Sequence, residues 1–129
     1  TNADVVVVLL DPEADNKAEY KDEVRTFKNA AIEAGAKQVV WLVRTWVNEP
    51  EYEEARPRWE AALRELDAES NDMVLIDVTA VLENSDGSPL RYAQGESGSR
   101  IRLREKDGTH LTQAGAEIYA TAVLKELGL

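Results

Sequence analysis

Val5-Val6-Val7-Val8-Leu9-Leu10, set between Asp4 and the pair Asp11-Pro12, is the stretch on which the fold turns. A β-branched apolar run closed by a turn-forming dipeptide reads as a buried strand. Working outward, Tyr20, Val24, Phe27, Ala31 and Ala34 recur at helical spacing, and Gly35 marks the stop. Residues 38–43 form a second apolar strand, and a helix near residues 56–66 carries Trp59, Ala62, Leu63 and Leu66 on one face. Residues 73–78 give a third strand, followed by an irregular stretch over residues 83–109 that is rich in Gly, Ser and charge. Thr112 then caps a last helix with Ala114, Ile118, Ala122 and Leu127 as its apolar contacts. Alternating strands and helices imply right-handed crossovers, and strands this continuously apolar are covered on both faces. The expected fold is an α/β three-layer sandwich around a parallel, flavodoxin-like sheet with about three strands in this chain.

The chain is 129 residues long, which predicts a single domain over residues 1–129 with one core. A formal net charge of −10 argues against nucleic acid or an anionic membrane surface as partner. Cys is absent, so disulfides, thiolate catalysis and Cys-based zinc sites are excluded. The longest apolar run, residues 5–10, is far too short to insert in a membrane. The chain begins with Thr1, not Met, which reads as a processed or excised piece; a secreted or cell-envelope location is the expectation.

The run Asp107-Gly108-Thr109-His110-Leu111-Thr112 carries the chemistry. His110 is the only histidine, and a carboxylate stands three positions ahead of it on a short Gly-containing loop. This pairing suits base-assisted nucleophilic attack. A neutral imidazole takes a proton from a hydroxyl, while the carboxylate fixes its tautomer and stabilises the imidazolium that forms. The bland alternative is a helix-start turn in which Asp107 and His110 only cap and hydrogen-bond.

The Asp-x-x-His run, continued by Leu111, Thr112 and Gly115 into a helix near the C-terminus, resembles the last block of the SGNH (GDSL-like) hydrolases. The resemblance implies a Ser-His-Asp triad in which His110 is the base and Asp107 its orienter, acting on carbohydrate or lipid esters by hydrolysis or acyl transfer, with no cofactor. It implies a five-stranded flavodoxin-like sheet whose last three strands are those of this chain. The Gly-Asp-Ser block that would supply the serine is absent from these residues. Ser70, Ser85, Ser88, Ser97 and Ser99 lack the strand-to-turn setting of a nucleophile and read as solvated loop residues. The first strand should then lie beside the missing nucleophile strand as an exposed edge, to be covered by an N-terminal segment, a second chain or a dimer mate. A non-catalytic SGNH-like binding or assembly module is the rival function. A receiver-like regulatory domain is a third reading that leaves the His110 block unexplained.

Other candidates are positional. The loop after the first strand falls where that family has Gly-x-Asn-Asp, and Asn16 is the candidate oxyanion donor, displaced by a few residues. The alternating carboxylates Asp11, Glu13 and Asp15 suggest calcium, but Asn16 stands where an EF-type loop needs Gly, and no metal is expected. Arg100-Ile101-Arg102-Leu103-Arg104 alternates with period two, which puts the guanidinium groups on one face of an extended segment; Arg102 and Arg104 are candidate ligands for a substrate carboxylate or phosphate. Arg44 and Trp46 follow the second strand at its C-terminal end, the side on which open parallel sheets bind ligands, and are candidate substrate contacts.

Overall fold

The computed structural model describes residues 4–10 and 16–129. Its elements run β1 (Val5–Val8), α1 (Lys17–Glu33), β2 (Gln38–Leu42), α2 (Pro50–Glu69), β3 (Met73–Ile76), β4 (Tyr92–Gln94), β5 (Arg100–Arg102) and α3 (Gln113–Glu126), with short 3-10 turns at Thr79–Val81 and Glu96–Gly98. Contacts divide the chain into two compact units, residues 1–44 with 54–76, and residues 45–53 with 77–129. The acidic loop of Asp11, Glu13 and Asp15 lies outside the described residues.

The first unit holds a parallel sheet in the order β1-β2-β3. Sequential order is what the last three strands of a flavodoxin-like sheet show, and the mixed α/β layout agrees with that class. The register pairs Val6 with Val39 and Val8 with Trp41, then Val39 with Met73 and Trp41 with Leu75. These residues share one face of the sheet, because side chains alternate along a strand. They meet Tyr20 and Val24 of α1 and Ala62, Leu63 and Leu66 of α2 in one apolar cluster. The i, i+3 and i+4 spacing of those helical residues makes the stripe that seats each helix. Burying a side chain as fully as Leu66 (1% exposed) stabilises the fold by about 1.5–3 kcal/mol.

Helix α1 begins at Asn16, whose Oδ1 accepts from the Glu19 backbone N–H at 3.0 Å. It ends where Gly35 N donates to Ile32 O and Ala36 N to Ala31 O, the paired bonds of a Schellman stop. Helix α2 starts earlier and ends later than the apolar pattern predicts. Pro50 occupies the first helical position, where a missing N–H costs nothing, and Pro57 is carried inside the helix.

Strand β1 is not the fully buried strand its sequence suggests. Among the described residues it has a neighbour on one side only, and Val5 and Val7 are 45% and 50% exposed while Val8 is 5% exposed. Leu9 and Leu10 are exposed as well. The edge placement is the one the family resemblance anticipates.

The second unit contains what the sequence presents as an irregular stretch. Within it, β4 and β5 pair antiparallel with Tyr92 opposite Arg102 and Gln94 opposite Arg100. Helix α3 buries Gly115, Tyr119 and Val123, one position round from the expected stripe of Ala114, Ile118 and Ala122, which stay partly exposed. Gly115 explains the rotation: a Cβ there would stand 2.1 Å from the Leu103 carbonyl oxygen, so the glycine lets the helix touch the backbone that leads to Asp107.

Candidate active site

The loop that carries Asp107 and His110 is built in the second unit on the end of the β4–β5 hairpin. Leu103 N donates to Arg91 O at 2.8 Å, one step beyond the last strand pair, and Leu103 O accepts from Thr112 N at 3.0 Å. The chain from Arg104 to Leu111 then folds back on itself: those two residues form an antiparallel bridge, and Glu105 N donates to His110 O at 2.8 Å. Gly108 sits at the turn with φ 75°, a left-handed conformation that favours glycine. Thr112 closes the loop and opens α3. Its hydroxyl donates to Arg102 O at 2.6 Å and accepts from Gly115 N at 3.1 Å.

Asp107 is the hub of this loop. Its Oδ1 accepts from the backbone N–H groups of Thr109 (2.9 Å) and His110 (3.0 Å), an Asx-type turn. Its Oδ2 is hydrogen-bonded to Nδ1 of His110. The bond from the His110 ring, followed by its backbone N–H, holds the Asp107 carboxyl down from its ordinary 3.8 to about 2. An ionised carboxylate on Nδ1 selects the tautomer with the proton there and leaves Nε2 as an acceptor. The His110 side chain is 79% exposed and that of Asp107 48%, so the imidazole is open to a reacting partner.

A second layer fixes the hub. Asn48 N donates to Thr109 Oγ1 at 2.7 Å, and Asn48 Nδ2 to the Asp107 carbonyl at 3.1 Å. Beneath lies Arg104, 1% exposed. Its Nη1 donates to Trp46 O and Gly108 O, both at 3.2 Å, and its Nη2 to Leu82 O and Thr45 Oγ1, both at 2.8 Å. The Thr45 hydroxyl passes the contact on by donating to Oε2 of Glu83, itself buried, at 3.1 Å. A guanidinium supplies a planar fork of donors, so one side chain can gather carbonyls from three chain segments.

The predicted site residues separate on this geometry. Asp107 and His110 are brought together, and Trp46 lies at the same loop, its ring edge 3.3 Å from where a Gly108 Cβ would be. Arg104 is not available to solvent as a ligand: its guanidinium is an internal strut. The predicted one-sided arginine ladder fails with it, because β5 ends at Arg102 and both Leu103 and Arg104 are buried. Arg102 is exposed and its Nε donates to Arg104 O at 2.9 Å. Asn16 and Arg44 belong to the first unit, where the Asn16 Oδ1 serves as the α1 cap. Sequence reasoning misses Asn48, Glu83 and the placement of Arg91, and reads Thr45, beside Trp46, as a positional candidate for the substrate side, whereas its hydroxyl links Arg104 to Glu83. The buried pair of Arg104 and Glu83 leaves only a faint trace in the sequence, each directly following a leucine, Leu103 and Leu82, that is fully buried.

A family model described as "Protein of unknown function (DUF459)" matches residues 12–126 of the chain, which takes in the whole Asp107–His110 loop. The chain belongs to the DUF459 family. No curated protein matches it. Among the described residues of this DUF459 chain, no group of three or more His, Asp or Glu side chains is placed to hold a metal ion, and no helix is long and apolar enough to cross a membrane.

Proposed function

We propose that this DUF459 chain contributes the base and orienting carboxylate of an SGNH-type serine esterase or acyltransferase. In this reading His110 Nε2 takes the proton from a serine hydroxyl supplied by polypeptide outside these 129 residues. Asp107 keeps the imidazole in the right tautomer and offsets the charge it acquires. The serine oxygen adds to the ester carbonyl, the ester C–O bond breaks as His110 returns the proton to the departing alcohol, and the acyl group then passes from the serine to water or to a sugar hydroxyl. The substrate is an ester on a carbohydrate or lipid.

One observation carries the reading. Asp107 spends one oxygen on two backbone N–H groups and gives the other to Nδ1 of His110. A cap would need only the first of these, and the second leaves an exposed Nε2 aimed outward. A non-catalytic binding module is the rival, favoured by the serines: Ser88 Oγ donates to Asp86 and Ser99 Oγ to the Glu96 carbonyl, each inside its own turn.

The test uses hydrolysis of p-nitrophenyl esters by the full-length gene product together with serine-directed phosphonate labelling. Asp107→Asn and His110→Gln should each lower turnover by about 10⁴ or more, and the phosphonate should label a serine outside this 129-residue stretch. Full activity in Asp107→Asn, or stoichiometric labelling of the 129-residue chain alone, overturns the assignment. Absence of hydrolysis in the full-length protein favours the binding module.

A further inference from the structure

Four arginines lie on or next to the β4–β5 hairpin that leads into the Asp107–His110 loop: Arg91, Arg100, Arg102 and Arg104. Three are engaged. Arg100 stacks on the Tyr92 ring at 3.9 Å, Arg102 donates to a backbone carbonyl, and Arg104 is the buried strut. Arg91 differs. Its backbone is pinned opposite Leu103 by the 2.8 Å bond from Leu103 N, which sets it at the head of β4 beside the loop. Its guanidinium reaches back over Gly108, with Nη2 and Nη1 at 3.2 and 3.5 Å from where a Cβ of that residue would be, next to the Trp46 ring at 3.3 Å. Arg91 is exposed, and among the described residues no hydrogen bond or ion pair engages its side chain.

Arg91 is set apart from the other exposed arginines by its place, with its guanidinium over Gly108 beside the Trp46 ring. Such a group is a planar donor pair matched to an oxyanion such as carboxylate or phosphate. Trp46 walls one side of the same spot, and the next two residues beyond Gly108 end at His110. We propose that Arg91, walled by Trp46, is an anion-recognition subsite of this active site. The substrate is then an ester that also bears a carboxylate or phosphate, and Arg91 fixes which end of it faces His110. The placement of the anion beside reacting atoms rests on the esterase reading; anion binding by Arg91 does not.

The experiment is an amide- and indole-resolved NMR titration of the 129-residue chain with inorganic phosphate and, separately, with glutarate. The Gly108 amide, the Trp46 indole N–H and the His110 imidazole serve as reporters. Saturable shifts at these positions are expected for at least one anion, and which anion binds more tightly tells phosphate from carboxylate. Arg91→Gln should weaken that binding about tenfold or more, in line with loss of a charge-assisted bidentate contact. Arg91→Lys should restore part of it, and Arg100→Gln should leave it unchanged. No saturable shift with either anion, or equal loss in Arg91→Gln and Arg100→Gln, overturns the subsite. A companion assay on the full-length protein compares p-nitrophenyl acetate with the mono-p-nitrophenyl ester of glutaric acid. If Arg91→Gln raises KM for the anionic ester alone, the subsite serves the reaction. If both esters respond alike while Asp107→Asn abolishes turnover, the esterase reading stands and the substrate assignment falls.

Discussion

Asp107 makes the sharpest residue-scale prediction, because its carboxyl is held at about 2 by the His110 ring and two backbone N–H groups. A carboxylate whose folded value lies below its ordinary 3.8 stabilises the loop fully above that value. The contribution is lost as pH falls from there through about 2. Carboxyl-carbon NMR should therefore place the Asp107 midpoint near 2 in the native chain and closer to 3.8 in His110→Ala. An unchanged midpoint in that variant would show that the ring bond is not the cause. At this scale the sequence is partly legible. Asp-x-x-His on a Gly turn announces the pair, since both partners lie within three residues. The supports do not announce themselves, because Asn48 stands 59 positions from Asp107 and Thr45 59 from Arg104. Nor does alternation distinguish an arginine facing solvent from one turned inward; that depends on where the hairpin strand ends.

At the level of elements, α3 and the β4–β5 hairpin define the site together. Gly115 allows α3 to lie against the Leu103 backbone, so Gly115→Ala drives a methyl into a carbonyl 2.1 Å away. Overpacking of this kind costs about 1–3 kcal/mol and at times more. Thermal unfolding followed by circular dichroism should show Gly115→Ala destabilised well beyond Ala116→Ser, a neighbour on the exposed side; equal melting would mean that the helix shifts freely. The three strands and three helices of the expected fold are visible because the strands are unbroken apolar runs and the helices carry a periodic apolar stripe. The hairpin is not, because Tyr92–Gln94 and Arg100–Arg102 are three-residue strands with exposed or half-exposed side chains. The alternation of residues 100–104 marks an extended segment, but a strand that buries neither face leaves no sign of its partner. The α3 stripe is misplaced for a related reason: its buried line runs through a glycine, which no hydrophobic pattern records.

For the whole molecule, the open edge of β1 is the feature with consequences in solution. Val5 and Val7 are exposed on the face opposite Val6 and Val8, so one strand carries both a core side and a bare apolar side. Unpaired apolar edges invite association, and a lysine on the solvent side blunts them. Val7→Lys should suppress concentration-dependent light scattering while leaving stability within about 0.5 kcal/mol. Val8→Lys should unfold the chain, since that side chain sits in the core at 5% exposure. Like scattering in Val7→Lys and the parent would show that β1 does not drive association. Arg104 bears on the molecule in a different way. Its strut joins a guanidinium, which keeps its charge across all pH values at which proteins fold, to three peptide oxygens that do not titrate and, through the Thr45 hydroxyl, to the buried Glu83 carboxylate. Acid that protonates Asp107 removes the bond orienting the imidazole, whereas the three bonds from Arg104 to peptide oxygens have no acceptor that titrates. The orientation of the ring and the backing of the loop thus answer to different variables: acidity acts on the first through Asp107 and reaches the second only by way of Glu83.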